Sequence, residues 1–499
     1  MSLKRMLVII VLLLSSSLFY IASNCGGGGD GPPSGTPDTT FGNSGFVVHD
    51  NAAGGNSHDS GFSITTDSNG RILVAGRSEN NNDWDMVIWR YNDNGTIDTT
   101  FGGDVNPTDG TPDGFIVHHN AAMGNLHDVG YSIIIDSNSK ILVAGGSTGS
   151  WSDMTIWRYN SDGTLDTTFG DDVNPADGTP DGIVFLHDTG GGNLDDWGNS
   201  IVIDANGNIL VTGFSSGSSG NWDMVVWRFN SDGTLDTTFG GDVNPADGTP
   251  DGFVIHDNAA GGNGNDSGFS IHIDANGKIL VSGKSRASSE DVTVWRFNSN
   301  GTLDTTFGSD VNPADGTPDG FFVHNDTAGG TGEDVGYAIS TDTNGRIIVA
   351  GYARNSSGNN DMVLWRFTPN GTLDTTFGGD VNPADGTPDG FIIHDNVAGG
   401  SGSDMGLSVV VDGKGRILIT GTSENTAGDS DMIIWRFNAD GTVDTAFDTD
   451  GIVVDDNVNS GNSDAGTSIT IDANGKILIT GRTGGIGIDN DMVIWRYNP

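Results

Sequence analysis

The sequence predicts an all-β fold, and three observations predict it. The first is composition: the 499-residue chain holds 79 Gly, and its 66 acidic residues against 21 basic ones give a formal charge of −45. Almost all of the acid is Asp, the glutamates being Glu79, Glu290, Glu333 and Glu424. Glu and Lys favour helices, whereas Asp and Gly favour turns. The second observation is that no stretch sustains the apolar spacing of a helix. The third is internal repetition, which is sought before any local pattern. Segments like Asp-Met-Val-Ile-Trp-Arg-Tyr place tryptophans at 89, 157, 227, 295, 365, 435 and 495. Segments like Asp-Thr-Thr-Phe-Gly place phenylalanines at 41, 101, 169, 239, 307, 377 and 447. Seven copies of each marker mean seven units. The charge excludes a basic nucleic-acid binder, because it repels phosphates.

From the N-terminus, the first element is an export signal at residues 1–24. Lys4 and Arg5 precede the apolar run Met6 to Leu14, and a second apolar stretch, Leu18 to Ile21, follows three serines. This is the layout of a signal peptide, and no later stretch reaches the ~20 apolar residues of a membrane span. The single cysteine, in Ala22-Ser23-Asn24-Cys25, stands directly before four glycines. Its setting resembles the lipobox of bacterial lipoproteins, which implies that Cys25 is lipidated and becomes the mature N-terminus. The alternative is plain secretion with a free thiol. One cysteine excludes an internal disulfide framework. Residues 25–36 read as a Gly-rich tether, and residues 37–499 hold the repeats.

Each unit offers four strands. In the fourth full copy, Gly268 to Asp274 alternates and ends at the turn Ala275-Asn276-Gly277. Lys278 to Gly283 follows at once, as in a tight hairpin. Asp291 to Asn298 and, after a long connector, Gly320 to His324 complete the set. Repeated sheets of four short strands predict a β-propeller, here with seven blades. The ends of the chain are complementary: Gly45 to His49 is an isolated fourth strand, and the last unit stops after its third. The N-terminal strand is therefore expected to complete the seventh blade and close the ring, removing both exposed edges. An open solenoid is the competing architecture.

The patterns Asp274 to Gly283 and Trp157 to Gly170 resemble the bacterial delta-60 repeat, and the resemblance runs over roughly residues 37 to 499. It implies a secreted or surface-attached propeller-like protein and no established enzymatic activity. The acidic connector, as in Asp242 to Gly252, appears in five copies and departs from that pattern.

The tryptophans read as core. Each indole buries ~150–250 Å², a gross ~4–6 kcal/mol at ~25 cal/mol per Å². The arginine after each, Arg90 to Arg496, is expected on the opposite sheet face, paired with a carboxylate. Two Asp series recur in every unit. One precedes the first strand: Asp59, Asp128, Asp196, Asp266, Asp334, Asp404 and Asp464. The other opens the third: Asp85, Asp153, Asp223, Asp291, Asp361, Asp431 and Asp491. Both belong on one propeller face. They either fix loops by accepting N–H bonds or bind a divalent metal, for which oxygen ligands point to Ca²⁺. The connectors, as in Asp310, Asn312 and Asp315, leave the same choice between turn and calcium chemistry. Six units are read as ending the fourth strand in His (His49, His118, His187, His256, His324, His394), each bonded to a same-face Asp and too spread out for zinc. Two serine-hydrolase spellings, Gly145 to Gly149 and Gly213 to Gly217, do not lead into the helix that motif needs.

What repeats explains only what all units share, so asymmetry points to function. Trp84, Trp151 and Trp222 precede the third strand in units one to three, and Trp197 begins the first strand of unit three. These four are expected on one face as a ligand patch, where indoles beside Asp and Asn suit sugar rings. The acidic surroundings favour a neutral glycan or a protein. The reading is an exported, surface-anchored, monomeric binding or scaffold module. It has no nucleic-acid partner, no catalytic constellation, and membrane contact only through a lipid anchor. The alternatives are a metal-assisted enzyme with an acidic site at the axial mouth, or a structural adhesion component.

Overall fold

The computed structural model describes residues 32–499 except 55–56, 81–82, 105–109, 120, 122–125, 150, 173–178, 243–248, 311–315, 330–331, 380–386, 457, 459–462 and 485–488. The export signal, Cys25 and the centres of the five acidic connectors lie outside the described residues. Among those described there are 28 strands and no helix, arranged as seven four-stranded antiparallel sheets. The protein is a seven-bladed propeller. Blade four consists of Ser267–Ile273, Ile279–Arg286, Glu290–Phe297 and Phe321–His324, in that spatial order. These bounds lie within a few residues of the sequence reading; the second hairpin runs further because Arg286 pairs with Glu290.

Consecutive first strands touch one another around the whole ring, which places them about the axis. A collar of serines joins them. Ser63 Oγ accepts the Ile133 N–H at 3.2 Å, Ser132 that of Ile201 at 3.3 Å, and Ser468 that of Ile64 at 3.4 Å. Ser200, Ser270 and Ser408 do the same. Blade five has Ala338 at this position and contributes no such bond. The first-strand glycines exist for the same close approach: a Cβ on Gly130 would lie 3.0 Å from Met86 of the preceding blade.

Between blades lies the core. Each sheet turns its Trp toward the preceding blade and the residue on either side of it toward the next. Leu73, Ala75, Met86 and Ile88 of blade one thus pack with Val143, Trp157 and Tyr159 of blade two. All seven ladder tryptophans are at most 1% exposed. The neighbouring arginines take the other sheet face, as the pleat requires. Arg90 Nε donates to Asp98 at 2.8 Å, its guanidinium lies 4.2 Å from the Phe101 ring centroid, and Nη1 donates to the Ser161 carbonyl of the next blade. One residue therefore binds its own Asp-Thr-Thr-Phe-Gly turn and the neighbouring blade. This explains why both markers share a period.

The same contacts close the ring. Phe46–His49 pairs antiparallel with the last strand, Asn490–Tyr497, with Phe46 opposite Trp495 and His49 opposite Met492. Asp38 accepts from Arg496 Nε at 2.9 Å, the role Asp98 plays in blade one, and Phe41 is fully buried beneath that guanidinium. Arg496 also donates to the Asp93 carbonyl, so the last blade grips the first.

Candidate functional site

First and third strands begin at the same end of every sheet, because Asp59, Ser78 and Asp85 stand opposite one another in register. Both Asp series therefore do share a face. In the first series, Asp59 Oδ2 accepts the Asn51 N–H at 2.7 Å and Asp404 Oδ2 that of Asn396 at 2.8 Å. The serine between the carboxylates holds the same loop: Ser78 Oγ accepts the Ala53 N–H at 2.9 Å, and Ser215 Oγ the Gly190 N–H at 2.7 Å. The serine of one hydrolase spelling is thus a loop anchor in mid-strand. Burial pushes Asp59, Asp196, Asp266 and Asp334 up to about 6, and Asp464 to about 7. Four first-series carboxylates feel a third-strand Asp of the preceding blade: Asp196 feels Asp153, Asp266 feels Asp223, Asp334 feels Asp291 and Asp464 feels Asp431. Among the described residues, no three His, Cys, Asp or Glu side chains converge on one metal position.

The histidine series needs two corrections. His187 lies one residue beyond its strand: Leu186 pairs with Met154, where His118 pairs with Met86, because the segment Ile183 to His187 carries one extra residue. Nor do the described histidine bonds go to same-face Asp. His49 Nδ1 meets the Tyr91 hydroxyl at 2.9 Å and His118 Nδ1 that of Tyr159 at 3.1 Å, while Trp295 Nε1–H donates to His256 Nδ1 at 3.2 Å. Their partners come from the next blade, because the fourth strand packs across the inter-blade core rather than along the rim. Burial lowers all three imidazoles to about 4, so they are neutral at pH 7.

The four extra tryptophans fall on the end that carries the Asp series, in three adjacent blades, and their surroundings differ. Trp151 is 47% exposed. It lies one residue short of its strand, which starts at Ser152, whereas Trp84 and Trp222 pair within theirs. Trp84 stacks beside His58 and carries the Arg77 guanidinium 3.7 Å from its ring centroid. Trp222 stacks on Phe214 at 4.4 Å. Trp197 leans on Tyr131 at 5.7 Å and covers Gly146, where a Cβ would meet the indole at 2.5 Å.

A row of first-strand side chains, not anticipated from the sequence, joins two of these rings, Trp84 and Trp197; Trp222 meets Phe214 instead. The residue after each first-strand Gly is half-buried: Phe62, Tyr131, Asn199, Phe269, Tyr337, Leu407 and Thr467. Phe62 and Tyr131 are 5.3 Å apart, and Phe269 and Tyr337 5.2 Å. The run Trp84, Arg77, Phe62, Tyr131, Trp197 is thus continuous across three blades. The signal was present in Gly-Phe-Ser and Gly-Tyr-Ser, but alternation alone does not say that this position surrounds the axis. Blade three places Asn199 there and blades six and seven Leu407 and Thr467, so the row is aromatic in blades one, two, four and five, and blade three contributes Trp197 instead.

Six segments, residues 68–101, 137–169, 205–239, 275–307, 343–377 and 415–447, match the family model described as "Domain of unknown function (DUF5122) beta-propeller". They span the second hairpin and the Asp-Thr-Thr-Phe-Gly turn, so the chain is built of β-propeller repeats. No curated protein matches the chain. Among solved structures, a protein of unknown function from Dyadobacter fermentans DSM 18053 is similar at 12% identity and a TM-score of 0.42, over 91% of this chain and 98% of that one. Polysaccharide lyase Uly1 is similar at 14% identity and a TM-score of 0.47, over 88% and 90%. Sqt1 of Chaetomium thermophilum is similar at 10% identity and a TM-score of 0.43, over 89% and 96%.

Proposed function

We propose that this propeller is a carbohydrate-binding module whose site is the aromatic run at the axial mouth in blades one to three. The observation that carries the reading is the continuous run from Trp84 to Trp197, which spans three blades, whereas Phe269, Tyr337 and Tyr352 form a shorter one in blades four and five. Half-buried rings held by neighbours present stacking faces without losing much freedom on binding. Trp151, 47% exposed, offers a further stacking face at the same end. Titrating the protein against a glycan panel, followed by tryptophan fluorescence, tests the proposal. Trp197→Ala and Trp151→Ala are expected to weaken a binding glycan. Trp151→Ala should leave stability within ~0.5 kcal/mol, as at a surface site. A panel without a binder, or a binder indifferent to both substitutions, would remove the site.

Export and anchoring belong to the same proposal, because a surface-held module meets polymeric sugars outside the cell. The support is the charged, then apolar, run that ends at Cys25. Cys25→Ser is expected to release the protein from membranes; unchanged membrane association would refute the anchor.

A second reading concerns the Asp series. The Oδ1 atoms of Asp59, Asp196, Asp266 and Asp404 are buried without a hydrogen-bond partner among the described residues. A divalent cation such as Ca²⁺ is a group that satisfies such oxygens. The protons they hold without it set the pH dependence. A carboxyl whose pKa rises from ~3.9 unfolded to about 6 folded stabilises fully below the lower value and loses that contribution as pH rises through the upper one. The histidines at about 4 act oppositely, losing stability as pH falls from ~6.5. The raised acids outnumber them, since Asp223, Asp361 and Asp491 are also near 6. In metal-free buffer, Tm is therefore expected to fall between about pH 4.5 and 7. Calcium should raise it at pH 7 beyond a sodium control of equal ionic strength, and not at pH 4.5. Equal curves in the two salts at pH 7 would end the calcium reading, and a Tm that rises with pH would overturn the protonation argument.

A further inference from the structure

We propose that the sugar bound at the axial mouth carries a carboxylate, a uronate residue, received by Arg77 and Arg482. This narrows the glycan reading above and rests on it. In a chain of net charge −45, most cations are held by carboxylates. Lys140 and Arg158, for example, share Asp166, and Lys284 is 2.7 Å from Glu290. Arg77, Arg286, Arg482 and Lys414 have no ion pair among the described residues, and of these only Arg77 is half-buried.

Aromatic faces hold Arg77 where an acid would be expected. Its guanidinium lies 3.7 Å from the Trp84 ring centroid and 5.4 Å from that of Phe62. Its Nε is shielded from solvent and finds no hydrogen-bond partner among the described residues. Stacking engages the planar face of a guanidinium, and the Nη edge rather than the shielded Nε is the part that suits a carboxylate. An unpaired, partly buried cation is costly in a purely structural role. Arg482 follows Gly481 in blade seven as Arg77 follows Gly76 in blade one; burial chiefly disfavours the Arg77 cation and the Arg482 charge adds to it, while Tyr131 and Glu79 oppose them without closing an ion pair. An anion beside Arg77 offsets the cost of its burial. The position does not repeat: blades two, three, five and six have Gly146, Phe214, Tyr352 and Thr422 there, and blade four has the neutralised Lys284.

This reverses the expectation of a neutral ligand. Carboxylates farther than about 8 Å are screened at physiological salt, whereas a cation at the contact is not. The experiment is calorimetric titration of the full chain with galacturonate, glucuronate and mannuronate oligomers, each as the free acid and as its methyl ester. One acid form is expected to bind at least about tenfold tighter than its ester, the difference a charge-assisted hydrogen bond makes. Arg77→Met keeps the stem between the rings, and Arg482→Gln alters an exposed position. Arg482→Gln, which lies outside the ring run, should cost the acid form that factor and leave the ester unchanged; Arg77→Met, within the run, should cost the acid form about tenfold more than it costs the ester, and Arg77→Lys should recover part of that difference. Equal binding of acid and ester, or of wild type and both variants, overturns the inference and leaves the glycan reading standing. If neither form of any oligomer binds and the wider panel is also silent, both fall together.

Discussion

Removing residues 37–50 is expected to produce aggregated protein, or a monomer that melts far below the intact chain. The segment supplies the fourth strand of blade seven, the buried Phe41, and Asp38, the carboxylate that Arg496 and Lys476 share. Burial alone would raise the Asp38 pKa, but its bonds to Thr40 and Lys476 and the Arg496 charge outweigh that and hold it at about 2. Breaking a buried ion pair costs about 3–5 kcal/mol, and losing a buried Phe about as much again. Together they approach the whole stability of an ordinary domain, about 5–15 kcal/mol. The deletion also bares the main-chain edge of Asn490–Tyr497, a template for pairing with another chain. Size-exclusion chromatography and thermal melting decide the matter: a deleted protein that stays monomeric with an unchanged Tm would show that the ring does not depend on this closure.

Trp365→Ala is expected to cost about 3–5 kcal/mol, the range for deleting a fully buried large side chain. The indole is fully buried between blades four and five, and its Nε1–H donates to Thr327 Oγ1 at 3.2 Å. That hydroxyl also donates to Asp334 at 3.0 Å, so the substitution loosens the loop that this carboxylate fixes. Denaturant unfolding should show a lower midpoint with an unchanged slope. A cost under 1 kcal/mol would mean that the neighbouring blades collapse into the space. Trp151, 47% exposed, is the control, since the same change there removes almost no packing.

The repeat was legible because one residue does two jobs. Arg90 binds its own turn through Asp98 and the next blade through Ser161, so the two sequence markers keep a common period. Closure was legible for a related reason: a propeller needs complementary ends, and Gly45 to His49 could only be the missing strand. The serine collar was less legible. Ser63 and its counterparts look like ordinary strand serines, and their acceptor role toward Ile133 and its equivalents exists only once neighbouring first strands meet. His187 was misplaced because one added residue shifts a strand end without changing its apolar pattern.

Composition and periodicity therefore determined by themselves the fold class, the number of blades, the identity of the core tryptophans and arginines, and the face that the Asp series shares. All of these follow from covalent order combined with the two-residue repeat of a strand. Tertiary structure alone decided which asymmetric residues meet. Phe62, Arg77 and Trp84 lie in three different strands of blade one, and Tyr131 and Trp197 in two further blades. Their contacts depend on how strands stack around an axis, a geometry set by packing between residues about 70 positions apart. The same packing leaves Arg77 between two rings and without an ion pair among the described residues, in a chain whose overall charge argued against any cationic site.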